Sequence, residues 1–78
     1  REAPPRYASI GAALRAEIEE GRAPVGSCLP GEHELCGRFG ASRFTVRRAL
    51  AGLREIGMVE ARPGLGTFVV ADRPQAAF

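Results

Sequence analysis

The side chains best equipped for chemistry are concentrated in Ser42–Ile56, SRFTVRRALAGLREI, with arginines at 43, 47, 48 and 54 and hydroxyls at 42 and 45. A guanidinium presents five N–H donors in a rigid planar fork, which suits it to gripping phosphate or carboxylate oxygens two at a time. Val46, Ala49, Leu50 and Leu53 recur at i, i+3, i+4 and i+7, one apolar stripe of a helix, and the arginines fall outside that stripe. Arg43 and Arg47, four apart, share a flank near the helix start, and Arg48 lies about 100° farther round. Cations near a helix N-terminus have the wrong sign for the macrodipole, so the arrangement implies an anionic partner. A solvated charged face would have the same spacing.

Two other constellations compete. Cys28, His33 and Cys36 place three soft ligands within a short span, but a structural zinc takes four and there is no CxxC or HxxxH pairing. Cys36 more simply fills a small buried position. For catalysis, His33 is the sole histidine and no serine stands beside a plausible base. No metal, cofactor or enzymatic activity is therefore expected.

The elements that must position the arginines are few. A chain of 78 residues makes one domain with a small core, burying only about 60% of its unfolded surface. At 45% hydrophobic and 26% charged it has the composition of a globular domain. The net charge of +2 says little, but all 11 basic residues are arginine. GC-rich codon usage would give that bias too, so the clustering counts for more than the number. Two cysteines are too few for a disulfide scaffold, and neither a signal segment nor a membrane-length apolar run is present. A cytoplasmic location with reduced thiols is expected.

In chain order, residues 1–6 read as a flexible arm. Tyr7, Ile10, Leu14 and Ile18 mark a helix stopped by Gly21, and residues 22–27 form a loop. Cys28 and Leu29 allow only a bridge of strand. A second helix spans Glu32–Phe39, with Leu35, Cys36 and Phe39 on its buried side and Gly40 as its stop. Ser42 then caps the third helix, and Gly57 ends it. Two helices joined by so tight a turn are a helix-turn-helix signature. Met58–Arg62 and Thr67–Ala71 read as strands around a turn at Pro63-Gly64-Leu65-Gly66, and residues 72–78 as a linker. The predicted fold is mainly α with a small β-hairpin: a winged helix-turn-helix of three helices plus a two-stranded wing over residues 7–71.

The run LPGEHELCGRFGASRFTVRRALAGLREIGMVEARPGLGTFVV resembles the DNA-binding domain of GntR-family transcriptional regulators. With Tyr7, Ile10, Leu14, Ile18, Gly21 and Gly26, the similarity extends over residues 7–70. It implies sequence-specific binding of double-stranded DNA, as a bacterial repressor, through a helix in the major groove. It also implies a further C-terminal domain that dimerises the protein on an inverted-repeat operator and binds a small-molecule effector; a HutC-like partner domain is the first expectation.

Residue by residue, the resemblance puts DNA contacts at Arg43 and Arg47, where arginine can pair with guanine O6 and N7. Ser42 and Thr45 suit a phosphate oxygen as well as the cap. Phe44 and Arg48 fall where the family varies, and an exposed Phe44 either meets a thymine methyl or packs locally. His33 stands where the family usually carries a DNA-contacting arginine, and Gly31 replaces the usual serine cap, at a cost of only a few tenths of a kcal/mol. Gly64, Leu65 and Gly66 form a wing tip able to approach a minor groove, flanked by Arg62 as a phosphate contact; a tight turn would require the same glycines. A winged helix used for protein interaction is the rival reading.

Overall fold

A computed structural model of the chain describes residues 5–75. The elements run α1 (Arg6–Glu19), α2 (Glu32–Phe39), α3 (Arg43–Glu55), β1 (Val59–Arg62) and β2 (Gly66–Val69). This is the predicted order. Residues 1–4 of the expected arm and 76–78 of the expected linker lie outside the described residues.

Helix α1 begins one residue before Tyr7, because the Pro5 carbonyl accepts from Ala8 and Ser9 N–H at 3.0 and 3.1 Å and Arg6 is already helical. Its Ile10, Leu14 and Ile18, spaced by four, are all buried. Helix α2 starts at Gly31 without a side-chain cap, and Glu32 and Glu34 in its first turn suit the helix dipole instead. Gly40 ends it at φ 60°, ψ 42°, the left-handed conformation that lets the chain reverse into α3 within three residues. Ser42 is an extended N-cap whose Oγ accepts from Thr45 N–H at 3.1 Å. The third helix thus spans Arg43–Glu55, with the expected Ser42 and Ile56 as its two flanking caps.

Strands β1 and β2 pair antiparallel from Val59↔Val69 to Arg62↔Gly66. Both are shorter than predicted. Met58 is occupied in accepting from Val70 and Ala71 N–H at 2.9 and 3.3 Å, which closes the pairing at Val69. Gly66 joins β2 because it stands opposite Arg62. The far edge of β2 is covered too: Gly26 donates to Val69 O at 2.7 Å, Val69 to Ser27 O at 2.9 Å and Leu29 to Thr67 O at 2.8 Å, around the bridge Cys28↔Phe68.

The core is one cluster: Ile10, Leu14 and Ile18 of α1, Leu29, Leu35 of α2, the whole predicted stripe Val46, Ala49, Leu50 and Leu53 of α3, and Met58, Val59 and Val69 from the wing. Cys36 and Phe39 pack against it only half-buried. With its stripe fixed against α1, α2 and β1, helix α3 cannot roll, so its opposite side is held outward. The chain then returns to α3, as Gln75 N–H donates to Ile56 O at 2.8 Å. Among the described residues no helix is long and apolar enough to cross a membrane.

Candidate nucleic-acid interface

The exposed side of α3 carries the predicted arginines. Arg43 and Arg47 project from one flank with side chains 63% and 62% exposed, and both face Glu32 at the start of α2. Arg47 Nε donates to both Glu32 carboxylate oxygens at 3.0 Å, whereas Arg43 Nε stands 3.8 Å from Oε1. The sequence reading missed this carboxylate. It lies 15 positions from Arg47, and only the reversal at Gly40 brings the two together.

Ser42 and Thr45 occupy the helix start with hydroxyls 2.9 Å apart, so the cap is made and the two oxygens present one exposed polar spot. Phe44 beside them is 74% exposed. His33 is exposed on the first turn of α2. Arg48 does not share the Arg43–Arg47 flank. Its guanidinium lies over the Tyr7 ring of α1, with Nη2 3.4 Å from the Tyr7 hydroxyl.

At the wing, Leu65 is 70% exposed at the tip of the loop closed by Leu65 N–H donating to Arg62 O at 2.9 Å. Arg62 stacks over Phe68 at 4.5 Å and pairs with Glu60 at 2.8 Å, so its head is held along the hairpin. Gly64 has φ 76° and Gly66 φ 129°. The φ of Gly66 is one that L side chains rarely adopt, and a Cβ there would stand 2.9 Å from Cys28 Sγ, which would have to turn aside, so the hairpin favours glycine without any DNA. Cys28 thus belongs to the wing base and Cys36 to the edge of the core, and the structure does not gather them with His33.

Three helices with a two-stranded hairpin, and an arginine-bearing third helix held outward after a tight turn, define a winged helix-turn-helix. Residues 6–69 match the family described as bacterial regulatory proteins, gntR family. The chain is 46% identical over 65 residues to the HTH-type transcriptional regulator Rv0792c of Mycobacterium tuberculosis, a match covering 83% of this chain and 24% of that protein. It is 36% identical over 73 residues to the histidine utilization repressor of Pseudomonas aeruginosa, covering 94% and 29%. Among solved structures it resembles the AraR DNA-binding domain in complex with operator ORR3, with TM-score 0.87 and 33% identity over 90% of this chain and 84% of that one. The chain belongs to the gntR family of bacterial regulators. It spans 24% and 29% of the length of the two curated relatives named here.

Proposed function

We propose that this chain is the sequence-specific DNA-binding module of a bacterial transcriptional repressor, with the N-terminal half of α3 in the major groove and the wing residues Gly64, Leu65 and Gly66 at the adjacent minor groove. The observation that carries the reading is the pairing of Arg43 and Arg47 on one exposed flank of a helix whose other side is buried. A major groove admits one such helix, and arginine matches the guanine edge. Ser42, Thr45, Arg48 and Arg62 serve phosphates, and Phe44 and His33 adjust preference. The AraR complex with operator DNA supports the reading. The module acts in the cytoplasm and performs no catalysis.

The whole protein dimerises through a C-terminal domain on an inverted-repeat operator and takes a small-molecule effector there. The histidine utilization repressors of Pseudomonas aeruginosa and Klebsiella aerogenes among the relatives support a HutC-like domain. Titration of duplex DNA at several salt concentrations tests the DNA reading. Each neutralised phosphate contributes a slope of about −0.9 in log K against log salt. Binding that ignores salt, or fails on duplexes selected from a random pool, would leave the protein-interaction reading instead.

A further inference from the structure

We infer that Glu32 is a positioning residue for base discrimination: its carboxylate fixes the Arg47 guanidinium so that the two terminal nitrogens face outward, while its own charge opposes DNA binding. This rests on the DNA-binding reading above. Both Glu32 oxygens lie 3.0 Å from Arg47 Nε, the inner donor of the guanidinium. A bond there leaves Nη1 and Nη2, the pair that matches guanine O6 and N7, free on the opposite edge. Arginine is a rotamer-rich side chain, and fixing it before contact removes an ordering cost that a free one would incur on binding. The same carboxylate stands 3.8 Å from Arg43 Nε, so one acid restrains both arginines of the flank.

Glu32 is the less exposed partner and stands where a carboxylate is favoured. It is the first residue of α2, where the helix dipole favours a carboxylate, and its side chain is 38% exposed against 62% for Arg47. An ion pair this exposed does little for folding. Against a polyanion its charge is a liability, since it offsets one of the two cations on the surface that must meet phosphates. A group that weakens attraction while aligning the reading side chain should move affinity and selectivity in opposite directions. Neither an ordinary surface ion pair nor a direct phosphate contact does that.

The test compares wild type, Glu32→Gln and Glu32→Ala on a duplex selected for tight binding, on its single-base variants and on a mixed-sequence duplex, across salt concentrations. Both substitutions should tighten binding to the mixed duplex and steepen the salt slope by about one. Preference at the base pair read by Arg47 should fall about tenfold in Glu32→Ala. It should fall less in Glu32→Gln, which keeps one acceptor oxygen for Nε. In an Arg47→Ala background, removing Glu32 should leave discrimination at that base pair unchanged. Unaltered thermal melts would exclude a folding effect. A discriminating wild type with an equally discriminating Glu32→Ala overturns this inference alone, as does a parallel loss of affinity on every duplex. A wild type with no preference among duplexes overturns the DNA reading as well.

Discussion

Arg48 lies against Tyr7, its Cζ 4.3 Å from the ring centroid, and so ties α3 to the first turn of α1 across 41 positions of sequence. A guanidinium stacked on a ring near the surface contributes about 0.5–1 kcal/mol. Arg48→Ala should lower stability by about that amount and Tyr7→Ala by more, because its half-buried ring also packs against the core, and a double-mutant cycle by denaturant titration should show a coupling of the size of the stacking contact. On DNA, Arg48→Ala should weaken all sequences alike and reduce the salt slope, a pattern expected of a cation that meets phosphate.

Arg47 should behave differently. Its removal is expected to cost about 1–3 kcal/mol on the preferred site and to relax the choice of one base pair, a G·C, in each half-site. Titration of Arg47→Ala against the operator and its single-base variants checks this. If the ranking of those variants survives, base reading belongs to another residue.

The Ser42 cap is a single hydrogen bond to Thr45 N–H at 3.1 Å. Ser42→Ala should cost about 1 kcal/mol, and Ser42→Gly only a few tenths. For a domain this small the first corresponds to a drop of roughly 4–8 °C in Tm. Melting of both variants at the wild-type temperature would mean that the cap contributes nothing.

Cys36 packs half-buried against the core, away from Cys28. Cys36→Ala should therefore cost about 1 kcal/mol or less and leave DNA affinity nearly unchanged. A metal role would show up instead as zinc in the wild-type protein, lost together with a large part of its Tm in the variant.

Gly66 combines φ 129° with a neighbouring sulfur, so Gly66→Ala meets two obstacles. It should destabilise by more than about 1 kcal/mol, and Cys28→Ala in the same chain should relieve the contact but not the backbone strain. A double variant that melts like wild type would show that the sulfur was the whole obstacle.

The parts of this molecule that were legible from sequence are those set by neighbours along the chain. The period of Val46, Ala49, Leu50 and Leu53 required a helix, and Ser42, Gly40 and Gly57 set the limits of their segments by local backbone chemistry. Strand ends were less legible because they depend on the opposite strand: Gly66 is a strand residue only by facing Arg62. The same holds for side-chain partners. Position on the helical wheel separated Arg47 from Arg48, but it named neither Glu32 nor Tyr7, which reach α3 only once the helices have packed.

The hydrogen bond from Gln75 to Ile56 joins the chain after the wing to one end of α3, which moves with the core it is packed on. Its groove-directed end lies 13 residues away, about 20 Å at 1.5 Å per residue. If the chain leaving Gln75 tilted the domain, and α3 with it, by roughly 10° about that point, Arg43 would swing by about 3 Å, the length of one hydrogen bond. A small torque at the exit of the domain would thus be enough to bring its reading edge into or out of register with a base pair.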